Sequence, residues 1–344
     1  LDLIYILRDG LTYDFANIGH PMLFAETYIG TKKIIENYVD EVSDCLRYLA
    51  SSECITFQLK ETIKFFEECQ KAYGQPALML SGGATLGLFH TGVCKALLEQ
   101  DLLPKVLSGS SAGAIMTGML GTSSADQIPE LLTGKHFFHE AFRFRKVMEL
   151  IKGHGGIADV MYLKKFLIHN MGDLTFAEAY QRSGLHINIA VAPYNASQNP
   201  LILNALTAPN ALVWSAVMAS CAVPVLFPPV HLTSKRYDGQ HTPYMSNTKW
   251  VDGSMRSDFP QEKMARLYNI NYTIASQVNP HIVPFMQSDL QRYRNDVLSW
   301  PERIIRHQGK TIALDVMDLT RHYVGRFFPI RRALDHGYGI LGQR

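Results

Sequence analysis

The sequence predicts an α/β fold: a three-layer α/β/α sandwich with a largely parallel central sheet, flanked by helical segments at both ends. Three observations predict it. Apolar residues before residue 75 recur at helical spacing. Immediately afterwards, short apolar runs alternate with glycine-serine turns and apolar helices, and further strand-like runs continue to about residue 290. Strand, turn and helix repeated in succession is the pattern of parallel strands covered on both faces.

Across residues 33–73 the apolar positions Ile34, Ile35, Tyr38, Val42, Leu46 and Leu49, then Ile55, Leu59, Ile63 and Phe66, step by three and four. Ser51-Ser52 supplies a break and a cap for a second helix. After Gly74-Gln75-Pro76, the run Ala77-Leu78-Met79-Leu80 reads as a buried strand ended by Ser81-Gly82-Gly83, with a helix over 86–98. Lys105-Val106-Leu107 then leads through Ser108-Gly109-Ser110-Ser111-Ala112-Gly113 into a helix over 114–120. Strand candidates follow at 187–192, 201–206, 230–233, 250–251 and 272–278, and residues 291–344 read as helical again. The expected organisation is a helical N-terminal region (1–75), an α/β domain (76–290) and a basic helical extension (291–344).

A chain of 344 residues that is 47% hydrophobic and 19% charged is neither disordered, nor collagen-like, nor a small stapled scaffold. Its 33 Lys and Arg against 31 Asp and Glu leave a charge of +2, too little for an extended nucleic-acid footprint, so no nucleic acid is expected as a partner. That charge is polarised: residues 291–344 hold ten basic side chains against five acidic, a net of +5, leaving −3 elsewhere. Five widely spaced cysteines without a C-x-x-C pair argue against a disulfide framework or structural zinc and for a reducing, intracellular compartment. No His, Asp and Glu cluster has ligand spacing, so neither metal nor cofactor is expected. The longest apolar candidate, 216–230, is broken by Ser220, Pro224, Pro228 and Pro229, and no transmembrane helix is expected. The chain starts at Leu1 without Met or a signal-like leader and reads as trimmed.

The strongest local signal is Gly109-Ser110-Ser111-Ala112-Gly113, a G-x-S-x-G between strand and helix. In such an elbow the nucleophile occupies a strained turn, and the residues two before and two after it must be small because backbones crowd there. Only Ser111 meets both conditions, although glycine and serine are also common in ordinary turns. Ser81-Gly82-Gly83-Ala84 precedes another helix and can offer unobstructed backbone N–H groups to an oxyanion, backed by the helix dipole. Its spacing fits neither a dinucleotide loop nor a P-loop; a plain tight turn is the competing reading. For the base, Asp252 follows the buried Trp250-Val251, whereas Asp238 lies in a polar stretch that reads as an exposed turn. His281 follows Asp252 in the order of a Ser-Asp-His arrangement, but no motif singles it out. His154 to Asp159 matches H-x-x-x-x-D, a pattern that 13 histidines would produce by chance.

Together, Ser81 through Gly87, the Ser111 elbow and Trp250-Val251-Asp252-Gly253-Ser254 resemble the patatin-like lipid acyl hydrolases. The stretch from Trp214 to Pro224, followed by Phe227-Pro228-Pro229, is similar to the helix and proline turn that this family packs beside its site. Asn17-Ile18-Gly19-His20, Gly30-Thr31-Lys32-Lys33 and Ser276-Gln277-Val278-Asn279-Pro280-His281 are similar to one branch, the lipid-droplet triacylglycerol lipases and their bacterial relatives. The resemblance implies a patatin-like sandwich and a Ser111–Asp252 dyad that needs no histidine. It also implies an oxyanion loop of Gly82, Gly83 and Ala84, elbow glycines at Gly109 and Gly113, and a chain that continues beyond Arg344. The loop departs from the commoner three-glycine form at Ala84, where a negative φ is expected to keep the donor in place.

The expected activity is hydrolysis of glycerolipid esters through an acyl-enzyme. The alternatives are a lysophospholipid acyltransferase using the same intermediate, and a non-catalytic lipid-binding protein. The expected setting is cytoplasmic, with peripheral contact to a membrane or lipid droplet. Tyr323, Arg326, Phe327, Phe328, Arg331 and Arg332 either help dock on an anionic surface or belong to a packed helix with solvated arginines. Lipid preference and oligomeric state stay open.

Overall fold

The computed structural model describes residues 2–12, 14–20, 23, 30–51, 59–133, 160–195, 199–223, 227–253 and 259–279. Among the described residues the chain divides into two compact units, one formed by residues 2–75 with Ala265–Tyr272, the other by Pro76–Met264 with residues 273–279. The predicted helical extension at 291–344, its docking residues and Ile55 lie outside the described residues.

In the first unit, α1 (Asp2–Thr12), α2 (Asp14–Asn17), α3 (Lys33–Ala50) and α4 (Leu59–Tyr73) follow the three-and-four spacing of the sequence. Their apolar stripes close a small core of Ile4, Leu7, Leu11, Leu49, Phe65 and Cys69. The stripe of α3 is narrower than its sequence pattern, since Ile35 and Leu49 are buried while Ile34 and Tyr38 stay exposed. Arg8 reaches Glu68 at 3.0 Å and covers the Phe65 ring at 5.8 Å; the ion pair is exposed and contributes about 0–1 kcal/mol.

The second unit begins in β1 (Gln75–Leu80), a 3-10 turn (Ala84–Leu88), α5 (Phe89–Glu99), β2 (Val106–Gly109), α6 (Ala112–Thr122) and α7 (Ile128–Leu131). It continues through α8 (Val160–Met171), α9 (Phe176–Ser183), β3 (His186–Pro193), β4 (Leu201–Leu203) and α10 (Val213–Ser220). Then come a separate hairpin of β5 (Leu232–Lys235) and β6 (His241–Tyr244), β7 (Trp250–Asp252), α11 (Gln261–Tyr268) and β8 (Ile270–Ser276). The main sheet has the order β4-β3-β2-β1-β8, with β7 also on β3. Strands β1, β2 and β3 run parallel, with Leu80 beside Gly109 and Gly109 beside Ile189. Hydrogen bonds from Gln75 N–H to Asn269 O and from Ser81 N–H to Ser276 O rise together along β1 and β8, so that pair is parallel too. Among the described strands of this sheet, only β4 and β7 run antiparallel, both against β3. The result is the expected α/β fold with a largely parallel central sheet.

Burial explains the composition of the inner elements. Every residue of α6 and of α10 is buried, which matches helices that are apolar on all sides. Helix α6 packs on β2 and β3, and α10 packs against α6, α8, β3 and β7. The core joins Leu78, Leu80 and Leu107 of the sheet to Ile115, Met116, Leu167, Phe176 and Trp250.

Candidate active site

Ser111 stands between β2 and α6 with φ 51° and ψ −116°, a backbone conformation that costs about 1–3 kcal/mol in a residue with a side chain. Its neighbours explain why the flanking positions are glycine. A Cβ on Gly109 would lie 2.3 Å from Gly113 O, and one on Gly113 would lie 2.1 Å from Leu80 O. Both contacts are with backbone, which cannot swing aside. Gly87 makes the same allowance for the helix that follows Ser111: a Cβ there would lie 2.4 Å from Ala112 Cβ.

The loop after β1 is fixed through Ser81. Its N–H donates to Ser276 O at 3.0 Å, and its Oγ accepts from Val278 N–H at 2.8 Å while donating to Gly82 O at 2.8 Å. Its carbonyl accepts from Gly113 N–H at 3.1 Å, which ties the loop to the elbow. Gly83 lies against Val278 so closely that a Cβ would meet Val278 Cγ2 at 2.5 Å. The N–H groups of Gly83 and Ala84 have no hydrogen-bond acceptor among the described residues. The expected negative φ at Ala84 is not found; the value is 50°, because the chain must turn from the end of β1 into a 3-10 turn whose Leu86 N–H bonds Gly83 O. An Ala there carries a left-handed penalty of about 1 kcal/mol that glycine would avoid.

Register places Asp252 beside the elbow. A strand residue has two edges, and Val191 pairs with Leu201 of β4 on one and with Asp252 of β7 on the other. The edge facing β7 is the one that Ile189 uses for Gly109. Strand β7 therefore takes over the edge of β3 where β2 leaves it, and Asp252 sits at the mouth of the turn that carries Ser111. Asp252 is 1% exposed and its N–H donates to Ala222 O at 3.1 Å. A Cβ on Gly253 would lie 2.3 Å from Ala190 O, so the chain leaves the strand hard against β3.

Two residues at the end of α10 join these parts, and neither was singled out from the sequence for a role. Ser220 Oγ accepts from Ser111 N–H at 2.9 Å and donates to Ala190 O at 2.7 Å. Cys221 Sγ lies 3.4 Å from Ser111 O, and burial, aided by the Asp252 charge, pushes its thiol well above the ordinary range. The one available signal was a pair of serines, Ser215 and Ser220, in an otherwise apolar helix.

Asp238 is in an exposed turn, as expected, accepting from Gln240 N–H at 3.0 Å. His281, the stretch from His154 to Asp159, Pro224 and Ser254 lie outside the described residues. No helix among the described residues is long and apolar enough to cross a membrane.

Comparison with known proteins identifies the family. The family model described as patatin-like phospholipase matches residues 78–264, and one described as a domain of unknown function (DUF3336) matches residues 1–71. Triacylglycerol lipase ptl2 of Schizosaccharomyces pombe is 35% identical over 279 residues, 80% of this chain and 44% of that protein. Triacylglycerol lipase 4 of Saccharomyces cerevisiae is 38% identical over 304 residues, 84% of this chain and 33% of that protein. A patatin-like phospholipase domain-containing protein of Aspergillus fumigatus is 36% identical over 286 residues, 82% and 40% of the two chains. The chain thus spans less than half the length of these relatives. Among solved structures, VipD from Legionella pneumophila covers 73% of this chain and 55% of its own, at a TM-score of 0.37 and 12% identity. With a family model matched over more than half of its residues, the chain belongs to the patatin-like phospholipase family.

Proposed function

We propose that this chain is a serine lipid acyl hydrolase that cleaves glycerolipid ester bonds, with Ser111 as nucleophile and Asp252 as base. The observation that carries the reading is the shared edge of β3, on which the strained Ser111 turn and the buried Asp252 follow one another. In the first half-reaction Asp252 takes the Ser111 hydroxyl proton as Oγ attacks the ester carbonyl carbon. The oxyanion is held by the N–H groups of the Gly82-Gly83-Ala84 loop, donors fixed before the substrate arrives. Collapse expels the alcohol, which leaves with the proton from Asp252, and an acyl-enzyme remains. Water, deprotonated by Asp252, then releases the fatty acid and restores Ser111. Each step uses groups of this chain and water. The names of the yeast relatives support triacylglycerol as a substrate, and so an enzyme that works at a membrane or lipid-droplet surface.

The test is a fluorophosphonate probe together with fatty-acid release from triacylglycerol, diacylglycerol and phospholipid, each with and without lysophospholipid. The wild type is labelled at Ser111, and Ser111→Ala and Asp252→Asn each lower release by roughly a thousandfold or more. A folded wild-type protein that the probe leaves unlabelled sinks the assignment. Acyl transfer to lysophospholipid exceeding fatty-acid release replaces hydrolysis with the acyltransferase reading.

A further inference from the structure

The helix that follows the glycine loop carries a histidine which the reaction just described does not use. His90 lies in the first turn of α5 and is 0% exposed. Its Nε2 is 2.9 Å from Ser81 O and its Nδ1 is 2.8 Å from Ser276 Oγ. The partners decide the tautomer. A carbonyl oxygen only accepts, so the proton is on Nε2; Nδ1 of the neutral ring then accepts from the Ser276 hydroxyl. The ring is a strut between the end of β8 and the loop after β1.

We infer that His90 is a positioning residue for ester cleavage, its neutral imidazole holding the Ser81 carbonyl and, through it, the register between the glycine loop and the Ser111 elbow. The inference rests on the assignment of Ser111 as nucleophile. Three connections carry it. The carbonyl that His90 grips also accepts from Gly113 N–H at 3.1 Å, an N–H shared with Ser110 O, so one oxygen touches the histidine, the loop and the elbow. The same loop is gripped from β8 by Ser276 O on Ser81 N–H and by Val278 N–H on Ser81 Oγ. The residues that follow Ser81 are the proposed oxyanion donors, for which a displacement of about 1 Å is enough to cost two orders of magnitude in rate. Burial holds the imidazole below its ordinary pKa, against an opposing pull from the Ser81 carbonyl, which keeps the ring in the neutral form that the geometry requires.

The experiment compares wild type, His90→Leu, His90→Gln and Ser276→Ala on a soluble p-nitrophenyl ester, with circular-dichroism melts and fluorophosphonate labelling in parallel. His90→Leu keeps an apolar body of similar size but neither hydrogen bond; kcat falls roughly 10- to 100-fold while KM stays within about twofold. His90→Gln offers one amide donor and one acceptor and restores most of that loss. Ser276→Ala leaves the grip on Ser81 but unlocks the tautomer, and lowers kcat roughly threefold to tenfold, the worth of one neutral hydrogen bond. Should His90→Leu fail to fold, Ser276→Ala decides by the same criterion. Wild-type kcat in folded His90→Leu or in Ser276→Ala overturns the inference. A lowered melting temperature with kcat unmoved does so too, as does a loss in His90→Leu that Gln fails to restore. If the wild type itself is unlabelled, the Ser111 assignment has failed first and the positioning role goes with it.

Discussion

Replacing Ser220 by Ala removes a single hydroxyl and almost no volume, yet that hydroxyl occupies a junction. It accepts from Ser111 N–H at 2.9 Å and donates to Ala190 O at 2.7 Å, and all three residues are buried. Without it a buried donor and a buried acceptor lose a partner together. An orphaned buried group costs about 1–3 kcal/mol, so two of them cost about 2–6 kcal/mol. The higher helix propensity of Ala offsets only about 0.5 kcal/mol of this. Against a typical stability of about 5–15 kcal/mol the variant stays folded at room temperature, and its melting temperature falls by roughly 5–15 °C. The same bond anchors the amide of a residue held at φ 51°, so phosphonylation of Ser111 slows by about tenfold or more. Thermal melts followed by circular dichroism and timed fluorophosphonate labelling read the two effects separately. A melting temperature within about 1 °C of wild type together with an unchanged labelling rate would refute the reasoning, since neither group would then depend on the Ser220 hydroxyl.

Ser111→Gly relieves a backbone conformation that penalises any side chain; it raises stability by about 1 kcal/mol in a denaturant titration while abolishing labelling. Gly113→Ala forces a Cβ to 2.1 Å from Leu80 O, backbone against backbone, and costs about 3 kcal/mol or more, seen as a fall in soluble yield and melting temperature. Burial sets both His90 and His186 below the ordinary imidazole value of 6.5. Between that value and the depressed ones the unfolded chain binds protons that the folded chain excludes, so stability is full above pH 6.5 and falls as pH drops through the window. Denaturation midpoints at neutral and mildly acidic pH measure this slope, which is shallower in His90→Gln because only the His186 share remains.

The sheet interior was legible because strands buried on both faces are written as unbroken apolar runs, as in Ala77 to Leu80 and Ile189 to Ala192. The elbow was legible for a stricter reason: Gly109 and Gly113 face backbone atoms closer than 2.5 Å to where a side chain would begin, so the residue type records the contact. Other features carried a local signal that pattern alone passed over. Helix α9 has a capping box from Thr175 to Glu178 and closes on Gly184 at φ 71°, a start and stop both present in the sequence. The strand expected at 201–206 ends at Leu203, because Asn204 Oδ1 accepts from Leu206 and Thr207 N–H and its amide donates to Asn188, turning the chain. The conformation of Ala84 had no such signal. Alanine ordinarily prefers a negative φ, and only the path from β1 into the next turn imposes the opposite sign. Ser220 and His90 likewise carry no pattern of their own among the other polar residues of their helices until Ser111 and Ser81 are seen to be their partners.

The division of one edge of β3 between β2 and β7 also orders events in time. The glycine contacts of the elbow, Gly109 on Gly113 and Gly113 on Leu80, form once β1, β2 and α6 have come together, and the Ser220 bond to Ser111 N–H adds α10. Asp252 arrives when β7, three residues long, closes a long stretch of chain onto what is left of the edge. Loop closure carries an entropic cost that so short a strand does little to offset, which makes β7 a late arrival in folding. During refolding, amide protection across β1 to β3 therefore precedes fluorophosphonate labelling of Ser111, the outcome expected if Asp252 is the base as proposed.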